Sequence, residues 1–199
     1  MISDTDGNYD ALARIHWPVR TDRLLLRPAT PADAAAAWQW RRLPEVSRWI
    51  TSAPTTYEAF REYFVSPGWL ARALIVERDD QPIGDLMLRV TDAWAQSEVA
   101  DQARGVQAEL GWCLHPAQQG HGYASEAVAA LIGVCFDQLG IRRIEASCFA
   151  ENEPSWRLME RLGMRREVHA AAESLHRSGR WLDGYTYALL AAEWHSASR

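Results

Sequence analysis

Residues 119 to 124 read Gln119-Gly120-His121-Gly122-Tyr123-Ala124, a composition suited to holding a phosphate group. Gly120 and Gly122 can turn the backbone sharply and bring it close to a ligand. The helix predicted just beyond them would add unpaired N–H groups and the positive end of its dipole. Taken alone, the loop has three readings. Gly-x-Gly between a strand and a helix is often only a tight connection. A dinucleotide fingerprint fits less well, because Tyr123, Ala124 and Ser125 stand where its third glycine belongs. A mononucleotide P-loop is excluded, since no Gly-Lys-Ser/Thr follows.

Other donor atoms lie nearby. Cys113, His115 and His121 are close in sequence, but the glycine loop carries His121 away and no fourth ligand follows at a recognisable spacing, so no metal is expected. Cys113, Cys135 and Cys148 are odd in number and set in apolar stretches, and they read as reduced core thiols of a cytoplasmic protein.

The elements that must position the loop follow from pattern. Val106 to Leu114 reads as a strand leading into it. From about Ser125 to Leu139, Val128, Leu131, Ile132, Cys135, Phe136 and Leu139 recur at helical spacing, with Gly140 as the C-terminal cap. Arg142 to Phe149 is the next strand, and strand, helix, strand in this order favours parallel neighbours. Upstream, Arg23 to Arg27 reads as a strand. Thr30-Pro31-Ala32-Asp33 is a capping box opening an alanine-rich helix, and Thr55-Thr56-Tyr57-Glu58 announces a second helix. Ala73 to Val90 reads as a hairpin turning at Asp79-Asp80-Gln81-Pro82. Residues 91–104 are polar, either an excursion or an extended hairpin. A short helix over Pro154 to Leu162 precedes two last strands, Met164 to Leu175 and Trp181 to Leu190.

The 199 residues, 48% hydrophobic, suffice for one sizeable core, so a single domain is expected over 1–199, with a loose arm from Met1 to about Ile15. Twenty-one basic against 26 acidic residues give a net charge of −5, without a long basic run. Neither nucleic acid nor an anionic membrane is expected as a partner. No charged-then-apolar leader opens the chain and no apolar run approaches the ~18 residues of a membrane span, so a cytoplasmic location is expected.

With these elements in order, the chain from Thr21 to Trp194 resembles the GNAT N-acetyltransferases. Q-G-H-G-Y-A resembles their Gln/Arg-x-x-Gly-x-Gly/Ala acyl-CoA signature. T-D-R-L-L-L-R-P-A-T-P-A-D resembles the opening of the ribosomal-protein N-terminal acetyltransferase branch, RimJ/RimL-like. Asn152-Glu-Pro-Ser155 with R-L-M-E-R-L-G-M resembles that branch's Asn-x-x-Ser helix, and G-R-W-L-D-G-Y-T-Y-A-L-L-A-A-E-W its closing strand. The resemblance implies an α/β (α+β) fold: a mixed, mostly antiparallel sheet of six to seven strands with a central, splayed parallel pair, flanked by about four helices. It also implies acetyl-CoA, or a related acyl-CoA, as co-substrate, with its pyrophosphate on the backbone of Gln119 to Ala124.

Such a site needs a group to take a proton from the attacking amine. Glu109 is the first candidate, on the strand face shared by Gly111 and Cys113; its other reading is a strand carboxylate paired with an arginine. Glu145 on the next strand is the second. His115 and His121 are weaker choices, His121 being better placed to flank phosphate. The N–H groups near Trp112, Cys113 and Leu114 would polarise the thioester carbonyl. Asn152 resembles the asparagine that meets the pantetheine arm, and Ser155 the serine suggested to protonate the leaving thiolate; helix capping is the alternative for both. The tyrosine acid common in the family is missing, Trp156 standing in that segment, and Tyr185 or Tyr187 would have to reach in from the last strand. Trp38, Trp40 and Trp49 lie where acceptor pockets are lined. The acceptor is a primary amine, a peptide N-terminus or a small molecule, and the acyl group is acetyl or a longer one such as succinyl. A non-catalytic acyl-CoA-binding module is the competing class. A homodimer through the apolar final strand or the 91–104 excursion is left open.

Overall fold

The computed structural model describes residues 10–197. The expected loose arm falls partly outside that range, at residues 1–9. Its remainder is not loose: Ala11, Leu12 and Ile15 are buried in the main core around a 3-10 turn, Leu12–Arg14. Leu12 and Ile15 are three residues apart and so share one side of that turn.

Strand β1 (Val19–Arg20) pairs with β2 (Leu25–Pro28). The capping box then forms, with the Thr30 N–H and hydroxyl donating to the Asp33 carboxylate at 2.7 and 2.9 Å. Helices α1 (Ala34–Arg41) and α3 (Tyr57–Phe64) alternate with the proline-opened single turns α2 (Pro44–Ser47) and α4 (Pro67–Leu70). Strands β3 (Ala73–Arg78) and β4 (Gln81–Thr91) turn through Asp79 and Asp80, both at positive φ, 51° and 59°. That backbone matches the twist of a two-residue hairpin. The polar stretch after β4 is an excursion, closed at its neck by the Ala93 N–H on the Ala103 carbonyl (2.8 Å). Then follow β5 (Gln107–Leu114), α5 (Tyr123–Asp137), β6 (Arg143–Phe149), α6 (Glu153–Arg161), β7 (Arg165–Leu175), β8 (Trp181–Leu190) and α7 (Ala191–Ala197).

The strands form one sheet in the order β1-β2-β3-β4-β5-β6-β8-β7, antiparallel except for β5 and β6. There are eight strands rather than six to seven, the addition being the two-residue β1. The helices beyond the expected four are the short turns α2 and α4 and the terminal α7. Strand β8 lies inside the sheet, so the edge beside it is β7, and the final strand offers no free edge for a second copy.

The parallel pair is short. It joins Gln107 to Arg143, Ala108 to Ile144 and Glu109 to Glu145, and then the strands part. Beyond that rung β5 stays on β4 as far as Leu114, and β6 on β8 as far as Phe149. Gly84 of β4 lets β5 lean away: a Cβ there would lie 2.5 Å from the Cys113 carbonyl oxygen. Ala108, Leu110 and Leu114 face the core under α5, whereas Cys113 faces the cluster of Trp40, Phe60, Phe64 and Trp69 beneath α1, α3 and α4. On that side the buried Asp85 takes hydrogen bonds from Trp40 Nε1 (2.7 Å) and from Arg41, anchoring α1 to β4.

Candidate functional site

The splay opens onto the glycine loop. After Leu114 the chain makes a 3-10 turn, Pro116–Gln118, in which His115 Nδ1 accepts from the Ala117 N–H (3.1 Å) and the Gln119 amide donates back to the Leu114 carbonyl (3.2 Å). Gly120 and Gly122 take φ of 78° and 82°, and Gly122 is the N-cap of α5. No atom lies within 4 Å of where a Gly120 Cβ would stand. The N–H groups of Tyr123, Ala124 and Ser125 have no acceptor among the described residues. An open backbone surface with free donors at a helix start fits the pyrophosphate of an acyl-CoA.

Residues that sequence reasoning missed hold this loop in place. Arg23 donates to the His121 carbonyl (3.1 Å) and to the Glu126 carboxylate (2.7 Å), which also accepts from the Thr21 hydroxyl at 2.5 Å. Burial alone would raise the Glu126 carboxyl, but Thr21 and Arg23 outweigh it and hold the group below its ordinary value. The Tyr123 ring is buried with the Arg23 and Arg78 guanidinium groups 4.6 and 5.0 Å from its centroid. Glu126, one turn into the helix, was a visible signal; Arg23, 103 residues away, was not.

Glu109 stands at the root of the splay on the Cys113 face, about 13 Å along the strand from Cys113 for four residues. It is ion-paired with Arg89, its cross-strand neighbour, and Glu145 with Arg143 at 2.7 Å. The arginine-paired arrangement weighed for Glu109 is therefore present.

Asn152 and Ser155 lie past the end of β6. Asn152 is the N-cap residue of α6, yet its side chain makes no capping bond. Ser155 hydrogen-bonds the Cys148 thiol, which burial pushes up to about 11 against that bond. The two final-strand tyrosines have partners of their own. Tyr187 is fully buried and donates to Glu160 at 2.9 Å; burial first, then Glu160, pushes its phenol up to about 12. Tyr185 packs edge-on against His169, 5.0 Å between centroids.

Of the three tryptophans, Trp38 packs on Phe60 and Trp40 bonds Asp85. Only Trp49 reaches the end of β6, where its ring centroid lies 6.0 Å from Phe149 and 5.7 Å from His176. Among the described residues, no group of three His, Cys, Asp or Glu could hold a metal ion, and no helix is long and apolar enough to cross a membrane.

Comparison with known proteins agrees with this geometry. A family model described as an acetyltransferase (GNAT) domain matches residues 23–165. The uncharacterized N-acetyltransferase p20 of Bacillus licheniformis is 31% identical over 87% of this chain and 96% of its own length. The uncharacterized N-acetyltransferase YnaD of Bacillus subtilis is 41% identical over 44% of this chain, and the match spans 51% of that protein. The crystal structure of a GNAT-family acetyltransferase from Bacillus anthracis superposes with a TM-score of 0.74 and 29% identity, over 88% of this chain and 99% of that one. The chain belongs to the GNAT acetyltransferase family.

Proposed function

We propose that the protein moves an acetyl group from acetyl-CoA to a primary amine by direct attack in a ternary complex. The observation that carries this reading is the divergence of β5 and β6 after Glu109 and Glu145, opening onto two positive-φ glycines at the start of α5. Bound acyl-CoA supplies an activated thioester carbonyl. The free N–H groups of the Gln119 to Ala124 loop, Tyr123 and Ala124 among them, hold its pyrophosphate, and the β5 N–H groups facing the splay between Trp112 and Leu114 draw charge from the carbonyl oxygen. Glu109, some way back along β5 from the carbonyl, takes the proton of the amine through a chain of waters, with Arg89 keeping its carboxylate in position. The uncapped Asn152 amide is free to hold the pantetheine arm, and Ser155, turning from its Cys148 partner, hands a proton to the departing thiolate.

The motifs at 21–33 and 152–162 favour the RimJ/RimL-like branch, hence a peptide N-terminus or a small amine as acceptor. We read residues 1–199 as one cytoplasmic domain. The test is release of free CoA thiol on incubation with acetyl-CoA and a panel of amines and N-terminal peptides. Release above background is expected; none with any acceptor, under conditions where acetyl-CoA binds, would leave a non-catalytic acyl-CoA-binding module. Succinyl-CoA in a parallel series reads the acyl preference.

A further inference from the structure

A second cleft lies at the far end of β6, and its charge stands against that of the whole chain. Arg48, Arg177 and Arg180 line it together with one carboxylate, Glu151, on a protein whose net charge is −5. Glu151 is shared, lying 2.8 Å from Arg180 and 3.8 Å from Arg48. Among the described residues Arg177 meets no carboxylate; its one partner is the Ile50 carbonyl. At about 390 Å³ the cleft is at the small end of ligand sites.

The walls are held together. His176, at the β7–β8 turn, bonds the Arg48 carbonyl through Nε2 (2.9 Å) and Ser178 through Nδ1 (2.8 Å), which joins the hairpin to the segment after α2. Its ring packs edge-on against Phe149, 5.4 Å between centroids, and Trp49 packs on both. Phe149 and Cys113 each follow the last shared rung by four residues, so they stand level on the same face of the splay. The His176–Phe149 contact thus joins one wall of the cleft to the Cys113 face of the splay.

We infer that this cleft binds the carboxylate of an acceptor whose amine is only a few bonds away, with Arg177 as the principal counter-ion. An arginine without an anion, two more within the same walls, and a small volume one ring contact from the Cys113 face of the splay select an amino-acid-like molecule over a diamine. The inference rests on the acyltransferase reading above.

The experiment compares kcat/KM for a free amino acid, its amide and a diamine, each with saturating acetyl-CoA. The amino acid is expected to exceed its amide by about tenfold or more, the scale of one charge-assisted hydrogen bond. Arg177→Gln should raise the KM for the amino acid by a similar factor and collapse that ratio, and Arg177→Lys should restore part of it. Because Arg177 also ties the hairpin to Ile50, Arg180→Gln provides a second reading of the same ratio. A peptide with Asp as its second residue tells a peptide carboxylate from a free one: turnover of either with loss on amidation supports the inference. Equal turnover of amino acid, amide and diamine overturns it while leaving the acyltransferase intact. Absence of CoA release with every acceptor overturns both.

Discussion

Glu109 of β5 and Glu145 of β6 face each other on the last rung that the two parallel strands share, and each is paired with its own arginine, Arg89 and Arg143. Like charges side by side repel, and the two guanidinium groups offset this where the sheet opens. The two pairs differ. Arg143 holds Glu145 through Nε and Nη2, at 3.0 and 2.7 Å, and Glu167 through Nη1 and the same Nη2, at 3.1 and 2.6 Å. Arg89 has Glu109 alone, and its Nε is buried without a partner among the described residues. Glu109 is therefore the carboxylate more readily released toward an incoming amine.

Glu109→Gln is expected to lower kcat by about a hundredfold, the scale of general base catalysis, and to leave acetyl-CoA affinity within about twofold. Glu145→Gln, in the more tightly held pair, should change kcat far less. Steady-state kinetics with calorimetric titration of acetyl-CoA separates the two effects. An unaltered rate in Glu109→Gln would return that carboxylate to a purely structural role with Arg89.

Gly122→Val places a β-branched side chain at φ +82°, where an L residue costs about 1–2 kcal/mol and the cap of α5 must rearrange. Acetyl-CoA binding should fall below calorimetric detection while far-UV circular dichroism stays that of the parent. Retained affinity contradicts the phosphate cradle.

Glu126 sets an acid limit on the same loop. Its folded pKa is depressed below the ordinary 4.5, so the folded state binds fewer protons than the unfolded one. The stability it contributes is full above that ordinary value and is lost as pH falls through the folded value beneath it. Glu126→Gln should accordingly melt lower than the parent at neutral pH, with the gap closing as pH falls below the ordinary 4.5. A gap that stays constant as the carboxylate is protonated would rule out the Thr21 and Arg23 contacts as its source.

Tyr187→Phe addresses the missing acid. The hydroxyl is buried on Glu160, so its loss should cost about 1 kcal/mol of stability, read from the urea midpoint, and leave kcat within about twofold. A fall of tenfold or more in kcat would bring Tyr187 into the proton path.

The elements around the donor site were legible because their signals are local. Thr30 and Asp33 are three residues apart and close a capping box wherever the chain is helical, and the α5 positions from Val128 to Phe136 repeat at helical spacing. Two segments misled. Ala11, Leu12 and Ile15 repeat for only one turn after the polar residues 4–8, too short a run to stand out as a periodic pattern. Strand β1, two residues long, exists through its pairing with β2.

The sequence by itself determined the order of elements, the glycine loop at the start of a helix, and the face on which Glu109 lies, because turn chemistry, capping and strand alternation act over a few residues. Tertiary structure alone decided how soon β5 and β6 part, which arginine holds each carboxylate, how Arg23 braces a loop 98 residues away, and that Arg48, Arg177 and Arg180 share one cleft. Each depends on strand register and on chain segments far apart in sequence, and such contacts leave no local pattern in the residues that make them.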